Sequence, residues 1–495
     1  MMRMKKNWLT MAWIFVVAFI LLMICSRSSF LYPCNDWNDA NSYFTMGKGL
    51  MNGQILYRDL YDQKGPYLYL LYGIAYLISG TTFLGVFVFE VIAVGSFLFF
   101  CYKIMCLYCT EKIALLLLPV MGAVMLASKS FYWGGAAEEF CLPLLSFGLY
   151  CSMRYLKEQR ASSPALSMIL VNGLMAGIVM QIKYTMLGFY FAWMAMMVLA
   201  FLLRKDWKGM LKGCLLFLAA MVLTMVPWLI YLGANHALDD WYQCYIYNNI
   251  FLYSNLVEAD TGLGGRLYTL AKLLLWITVD NLAYFLFIGI GMLYFLFSFR
   301  TIWLEKINLL FLAGFLFLGI YFGGSNLPYY AIPLMIFTVL GFIPIGQALG
   351  RIIGGTGQGI ALLFLTLAVS AGGAYAGSMN SYFMQQSQED YFLYRFKAMM
   401  EQEEAPTLVT IGCLDAGLYT VADILPSCRF FQTNGIGFGK MFEEQERYVK
   451  EGKTQFVLVR DTIPEGIDMW YELVAEEPYE WDGQQFTYYL FKRRE

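Results

Sequence analysis

Twelve apolar segments recur along the first three quarters of the chain, and they constrain its fold more than any other feature. They cover residues 8–25, 66–80, 84–107, 113–128, 140–153, 164–182, 186–203, 213–233, 282–299, 307–322, 329–348 and 360–378. Hydrophobic residues make up 59% of the chain and charged residues only 14%, whereas soluble globular proteins have roughly 25% charged residues. The pattern predicts a polytopic α-helical membrane protein with about 11 to 12 transmembrane helices.

Loop charge predicts how these helices are oriented, because cytoplasmic loops attract Lys and Arg. If the short segment 66–80 does not cross, one side of the membrane receives all the basic loops, which carry Lys103 and Lys112, Arg154 to Arg160, Arg204 to Lys212, and Arg300 with Lys306. Met1–Lys6 carries three cations before the first apolar segment, so the N-terminus is expected in the cytoplasm of a plasma-membrane protein. We therefore expect eleven crossings, with 66–80 dipping in from the outer face.

This topology divides the chain into two predicted domains. Residues 1–378 form a transmembrane domain whose first outer loop is 26–65, and residues 379–495 form a soluble α/β domain on the outer face. Charged residues become frequent after Ser381, and short β-rich runs occur at Thr407–Ile411, Phe456–Val459 and Phe486–Phe491. Alternation of such runs with polar segments is typical of a small α/β domain.

Charge and histidine content exclude several functions. The net charge is −2 and the basic residues are scattered, whereas nucleic-acid binding requires a clustered basic face. No nucleic-acid partner is therefore expected. His236 is the single histidine of the chain, so any acid–base chemistry is expected to depend on carboxylates.

The first outer loop contains the strongest candidates for catalysis. Asp36 and Asp39 are spaced i and i+3, and Tyr43 follows Asp39 at i+4, so a short helix would place these side chains on one face. One carboxylate could act as a general base on an acceptor hydroxyl or hold a divalent cation. In the alternative interpretation, Asp36 or Asn38 caps the start of that helix.

Two lysines are candidate ligands for a phosphate. Lys64 precedes Gly65-Pro66 at the start of the short apolar segment, and Lys183 interrupts an almost uncharged run at a turn that the topology places outside. A cation at the membrane interface can bind a lipid phosphate, or its aliphatic stem can simply snorkel to the headgroups. Two cations on one face favour a phosphate-bearing substrate.

Glu138 and Glu139 precede an outer helix start, where carboxylates favour the positive end of the helix dipole. They either cap the helix or contribute a second acidic group to a site shared with Asp39. Tyr329 and Tyr330, with Pro333, mark another outer helix start. With Tyr43 and Tyr57, these tyrosines are candidate sugar or lipid contacts.

Five short motifs occur in an order typical of one superfamily: Asp39-x-x-x-Tyr43, Gly53-x-x-x-Tyr57-Arg58-Asp59 leading to Lys64-Gly65-Pro66, Glu138-Glu139, Ile182-Lys183-Tyr184-Thr185 and Tyr329-Tyr330-x-x-Pro333. With these motifs the chain resembles the bacterial relatives of the protein O-mannosyltransferases and the aminoarabinose transferases that modify lipid A, within the GT-C glycosyltransferases. The resemblance implies a polyprenyl-phosphate-linked sugar donor, Asp39 as the catalytic carboxylate, and Lys64 and Lys183 as ligands of the lipid phosphate.

The chain departs from the family pattern at two positions. Ala40 stands where many relatives have an acid, and Ser42 stands where a basic residue is common. Asp36 could substitute for the missing acid, and Arg58 or Arg266 could add to the two lysines at the phosphate.

The resulting hypothesis is an inverting sugar transferase whose acceptor is a lipid, glycan, wall polymer or protein. Two alternatives belong to other classes. A transporter or flippase would place its charges near the bilayer midplane on broken helices. A non-catalytic envelope assembly protein would need the C-terminal domain but no carboxylates in the outer loop.

Overall fold

The computed structural model describes residues 2–252, 262–353, 360–389, 391–435, 438–481 and 483–494, with the backbone alone at 2–7, 353 and 481. Arg3, Lys5 and Lys6, which carry the predicted N-terminal orientation, therefore lie outside the described side chains. The α-helices are α1 Met2–Cys25, α2 Asn38–Met51, α3 Pro66–Ile78, α4 Leu84–Cys106, α5 Glu111–Leu126, α6 Ala137–Arg154, α7 Leu166–Lys183, α8 Leu187–Leu203, α9 Trp207–Ala234, α10 Leu238–Trp241, α11 Leu263–Asp280, α12 Leu282–Phe297, α13 Trp303–Tyr321, α14 Val339–Ile353, α15 Ile360–Gly377, α16 Phe392–Met400, α17 Leu418–Val421 and α18 Gly439–Lys450.

Six stretches of the described chain are long and apolar enough to cross a membrane, and two bent helix pairs raise the number to as many as eight. The six are Trp8–Cys25, Leu84–Cys106, Leu166–Leu203, Trp207–Ala234, Trp303–Tyr321 and Ile360–Gly377. The helix α3 has 13 residues, a length of about 20 Å, which is less than the roughly 30 Å of the hydrocarbon core. The short helix expected at 66–80 is therefore present. These lengths support a multi-pass membrane protein.

The chain reverses direction between α7 and α8. Asn172 of α7 and Phe189 of α8 both approach Gly148 of α6. A Cβ atom built on Gly148 would lie 3.1 Å from Asn172 Oδ1 and 2.8 Å from Phe189 Cε1. In one straight helix, residues 172 and 189 would be about 25 Å apart, so both can approach Gly148 only if α7 and α8 run side by side. The 3₁₀ turn Tyr184–Met186 makes this reversal, at the place where the sequence predicted a short turn.

Glycine residues allow α8 and α13 to approach closely near this turn. A Cβ atom on Gly188 of α8 would lie 2.0 Å from the Phe315 carbonyl oxygen, and one on Gly319 of α13 would lie 2.3 Å from the Thr185 carbonyl oxygen. Membrane helices associate through such contacts because lipid provides no hydrophobic driving force between them. Glycine is therefore required at both positions by the close packing of α8 and α13.

The C-terminal segment contains a four-stranded sheet in the order β1-β2-β4-β3. Its strands are β1 Leu408–Ile411, β2 Phe456–Arg460, β3 Tyr471–Trp481 and β4 Gln484–Arg493. The strands β1 and β2 are parallel, and the other two pairs are antiparallel. Three strands overlap the three β-rich runs of the sequence. Strand β3, which the sequence did not predict, is at the edge of the sheet. Charged residues are common on edge strands, and the acidic residues of β3 obscured its hydrophobic alternation.

The described chain forms two compact units. One comprises Met1–Ser26, Phe89–Val226 and the described part of Val257–Ser381, and the other comprises Arg27–Val88, the described part of Pro227–Leu256, and the described residues from Tyr382 onward. We call the first the helical unit and the second the loop unit. The C-terminal α/β segment therefore belongs to the same compact unit as the first loop of the chain.

Within the loop unit, α2 presents buried polar side chains to the C-terminal segment. Thr45 Oγ1 donates a hydrogen bond to Asp415 Oδ2 at 2.6 Å, and Lys48 Nζ lies 2.8 Å from Asp423 Oδ1. Ser42 Oγ donates to the amide oxygen of Gln432 at 2.6 Å. Residues 42, 45 and 48 are three apart and so share one face of α2. Each pair satisfies a polar group that would otherwise be costly to bury.

Burial raises the pKa of Asp415 from 3.8 to about 6, opposed by the hydrogen bonds from Thr45 and Gly417 and by the Lys48 charge. The folded protein therefore binds this proton more tightly than the unfolded chain does, and the free energy of unfolding falls as the pH rises between these two values. Asp415→Asn should remove this dependence. Between pH 4 and 7 the stability of the variant relative to the wild type should rise by on the order of 3 kcal/mol. Thermal melting of both proteins across this range measures the change, and parallel curves would contradict it.

Candidate functional site

The helix α2 begins without a side-chain cap. Trp37 occupies the N-cap position in an extended conformation, and no side chain accepts a hydrogen bond from the first turn. The turn before it is set by Asn35, whose Oδ1 accepts a hydrogen bond from the Trp37 N–H at 3.1 Å. The alternative interpretation of Asp36 as a capping residue is therefore wrong, and Asn38 is simply the first residue of the helix.

Asp36 is buried in an ion pair instead. One carboxylate oxygen pairs with Arg27 Nη1, and the other accepts a hydrogen bond from the Tyr479 hydroxyl at 2.6 Å. The guanidinium of Arg27 also donates to the Tyr382 hydroxyl at 3.2 Å and lies 4.8 Å from the centroid of the Phe383 ring. Both oxygens of Asp36 are thus engaged by protein groups, which suits a residue that holds the loop in place.

Asp39 lies in the first turn of α2 and is only half-buried. Its negative charge acts on Asp62, in the segment 62–64. Burial raises the pKa of the Asp62 carboxyl, the Lys64 ammonium lowers it, and the negative charge of Asp39 raises it further. The Lys64 Nζ also lies 5.7 Å from the centroid of the Tyr43 ring. Tyr43 and Lys64 are thus neighbours in the loop unit, and Asp62 lies within electrostatic range of both Lys64 and Asp39.

Two tyrosines hold the segment 62–64 in this position. The Tyr57 hydroxyl donates to the Lys64 carbonyl at 2.8 Å, and the Tyr69 hydroxyl accepts from the Lys64 N–H and donates to Asp62 Oδ2, both at 2.8 Å. Tyr57 is fully buried and has a φ of +68°, a left-handed conformation that is uncommon for a bulky residue. Its contacts position Lys64 and leave the Tyr57 ring no exposed surface for a sugar.

Arg58 points to solvent rather than to this cluster. Its side chain is 43% exposed and pairs with Asp59 at 2.8 Å. One guanidinium nitrogen also donates to the Asn235 carbonyl at 2.9 Å. Arg58 therefore ties the loop to the segment that follows α9.

In the helical unit, Lys183 is the centre of a second cluster. Its ammonium forms an ion pair with Glu138 in the first turn of α6 and lies 3.9 Å from the centroid of the Tyr330 ring and 5.1 Å from that of Tyr329. The Lys183 side chain is 11% exposed and that of Glu138 only 2%. Lys183, Glu138, Tyr329 and Tyr330, predicted from three separate segments, therefore come together.

Glu139 has a different role from Glu138. Its Oε2 accepts a hydrogen bond from the Gly135 N–H at 3.0 Å, so it satisfies a backbone donor of the loop just before α6. Its carboxyl group also faces that of Glu90, which accepts from the Ser26 hydroxyl at 2.9 Å. Two consecutive acids thus have different partners, because adjacent positions on a helix point in different directions.

The described residues offer few ligands for a metal ion. Among the described residues, no group of three or more His, Cys, Asp or Glu side chains is arranged to hold one. Asp39 and Asp62 are two carboxylates with a lysine beside them, which is a poor environment for a divalent cation.

Sequence reasoning missed Arg27 and Asp62 as members of these clusters. Neither residue has a periodic partner in sequence. Arg27 meets Asp36 nine residues later, and Asp62 accepts a hydrogen bond at 3.2 Å from Asn434, which is 372 residues away. The only available signal was the presence of a charge in a segment next to the membrane, where unpaired charges are costly.

No family model and no curated protein sequence matches the chain. Among solved structures, ArnT from Cupriavidus metallidurans in the apo state is similar with a TM-score of 0.57 and 12% identity, over 99% of this chain and 98% of that chain. ArnT bound to undecaprenyl phosphate matches with the same TM-score and identity over 98% of each chain. An oligosaccharyltransferase from Archaeoglobus fulgidus, tethered with an acceptor peptide, matches with a TM-score of 0.52 and 14% identity, over 92% of this chain and 69% of that chain.

These similarities establish the fold. The chain is a polytopic α-helical membrane protein with the GT-C fold and a small C-terminal α/β segment, as the sequence predicted.

The two carboxylates of the first loop should respond differently to neutralisation. Asp36→Asn leaves the buried guanidinium of Arg27 without its counter-ion, and such a loss costs about 3–5 kcal/mol. Asp39→Asn, at a half-buried position, should change stability far less. Thermal melting of the two variants in lipid nanodiscs compares them directly. Equal melting temperatures would show that Asp36 does not hold the loop.

Proposed function

We propose that this protein transfers a sugar from a polyprenyl-phosphate-linked donor to an acceptor on the outer face of the membrane. The observation that carries the proposal is the half-buried Asp39 carboxylate, which shares Asp62 as an electrostatic neighbour with Lys64, in the first loop of a GT-C fold. The similar ArnT structure is bound to undecaprenyl phosphate, and the similar oligosaccharyltransferase is tethered with an acceptor peptide. These two similar structures support a polyprenyl-phosphate donor and a separate acceptor.

In the proposed reaction, Asp39 accepts the proton of an acceptor hydroxyl. The hydroxyl oxygen attacks the anomeric carbon of the donor sugar, and the bond between that carbon and the phosphate oxygen breaks. The polyprenyl phosphate departs with the electron pair, and the anomeric configuration is inverted. General base catalysis of this kind contributes about 10²–10⁴-fold to a rate.

We propose that Lys64 and Lys183 each contact the donor phosphate. Negative charge increases on the phosphate as the sugar leaves, and a fixed ammonium stabilises that charge in the transition state. Lys183 has Glu138 as a counter-ion and two tyrosine rings beside it, so its position is already set. Tyr43, Tyr329 and Tyr330 would then contact the sugar or the lipid.

Three residues have other roles in this proposal. Asp36 and Tyr57 position the loop rather than touch the substrate, because both are buried and hydrogen bonded to protein groups. Arg58 is paired with Asp59 at the surface and is not needed for phosphate binding.

Asp39→Asn should reduce transfer by roughly 100-fold or more, because an amide cannot accept the proton. Binding of undecaprenyl phosphate should be retained. The measurement compares glycolipids and wall polymers of cells that lack the protein with those of cells complemented by the wild type or by the variant. Asp59→Asn, in the same loop, is the matched control and should complement fully. A transporter or an assembly protein would be indifferent to Asp39→Asn, so full complementation by that variant would overturn the proposal.

Lys64→Met and Lys183→Met should each weaken the binding of undecaprenyl phosphate by about 10–100-fold, because each removes a charge-assisted contact. Lys129→Met is the control, since Lys129 forms an exposed pair with Asp280. Lys183→Met also leaves Glu138 unpaired, so the double variant Lys183→Met/Glu138→Gln separates lost binding from misfolding. Unchanged affinity in the folded double variant would exclude Lys183 as a phosphate ligand.

A further inference from the structure

The loop unit contains a cavity of about 180 Å³ that is separate from the Asp39 cluster. Its wall includes Asn41 of α2 but neither Asp39 nor Lys64. Positions 39 and 41 are two apart on a helix and so point about 200° away from each other. The cavity therefore lies on the opposite side of α2 from the proposed catalytic carboxylate. Its volume is far more than the roughly 30 Å³ that one water molecule occupies.

The lining of the cavity is polar but carries almost no charge. Arg27 is the only charged residue among the described lining residues, and Asp36 neutralises it. The other polar groups are hydroxyls and amides, including those of Asn41, Thr81 and Gln388. An anion would find no uncompensated cation here, and an amine would find no carboxylate.

Aromatic side chains complete the wall. Phe83 and Tyr394 line the cavity together with the exposed ring of Phe30. The Tyr394 hydroxyl donates to the Pro33 carbonyl at 2.8 Å, which leaves its oxygen able to accept a further bond. Neutral hydrogen-bonding groups combined with aromatic faces match a molecule that has many hydroxyls and some apolar surface. A sugar ring has this chemistry.

Two residues of the cavity lining are close in sequence to candidate membrane spans. Arg27 follows the end of the candidate span Trp8–Cys25 by two residues, and Leu84 is the first residue of the candidate span Leu84–Cys106. Both Leu84 and Phe30 are exposed apolar side chains at the rim, 40% and 58% exposed respectively. An apolar rim around a polar interior suits a ligand whose head is hydroxylated and whose tail lies in lipid.

We propose that this cavity binds an uncharged sugar ring, either as the headgroup of a membrane glycolipid or as part of a soluble glycan. The site is distinct from the Asp39 cluster and does not depend on the transfer reaction. A bound sugar ring would contact the first loop, the start of α4 and the C-terminal segment, since all three contribute to the wall.

Photo-crosslinking of the full-length protein tests this proposal. A benzophenone amino acid replaces Gln388, an exposed lining residue, or Gln386, an exposed residue that is absent from the lining. The proteins are placed in phosphatidylglycerol nanodiscs that contain monoglucosyl diacylglycerol, and a second set lacks the glycolipid and receives radiolabelled maltotriose. We expect position 388 to capture one of the two sugars at least about tenfold more than position 386 does. The first set identifies a lipid source and the second a soluble one.

Thr81→Trp provides a plug at the exposed rim, where a bulky side chain need not disturb the folded interior. It should abolish capture at position 388, and Asp39→Asn should leave that capture unchanged. Equal capture at both positions, capture of phosphatidylglycerol instead of sugar, or insensitivity to Thr81→Trp would overturn the proposal. None of these outcomes bears on transfer, so failure here is distinguishable from failure of the proposed function.

Discussion

Buried polar contacts between α2 and the C-terminal segment are the interaction on which the loop unit depends. Thr45 with Asp415 and Lys48 with Asp423 hold the helix against a segment some 370 residues later in the chain. Buried groups of this kind stabilise one arrangement because any displaced partner would be left unsatisfied. The helix that carries Asp39 is therefore positioned by the C-terminal α/β segment, which becomes part of the scaffold of the candidate site.

Acids that look equivalent in sequence occupy different environments. Asp36 is paired with Arg27 and hydrogen bonded to Tyr479, whereas Asp39 remains half-buried within electrostatic range of Asp62. Glu138 pairs with Lys183, and Glu139 accepts a hydrogen bond from the Gly135 N–H just before α6. In the first pair, one acid stabilises the structure and the other is the better candidate for chemistry, whereas both glutamates of the second pair have structural partners. The distinction follows from helix geometry, because neighbouring side chains project in different directions.

Local patterns predicted the features that depend on local physics. The lengths of the apolar segments indicated the membrane helices, the short helix at 66–80 and the turn between α7 and α8. Such segments form helices because backbone groups in lipid must be hydrogen bonded within each helix. Three of the four strands also followed from β-rich runs. The edge strand β3 did not, because solvent-facing acids mask the hydrophobic alternation of its sequence. The capping interpretation of Asp36 failed because its carboxylate pairs with Arg27 instead.

By itself, the sequence determined a membrane protein with a helical core, a small α/β segment and a polar first loop, since these depend on composition and periodicity. It also offered Asp39, Lys64, Lys183 and Glu138 as candidate site residues, because they are charges beside apolar segments. Only the tertiary structure decided which charges pair, that Tyr57 positions Lys64, that Asp62 joins Asp39, and that a neutral cavity lies behind α2. These features arise from contacts between residues that no helix or strand periodicity brings together, so no local pattern encodes them.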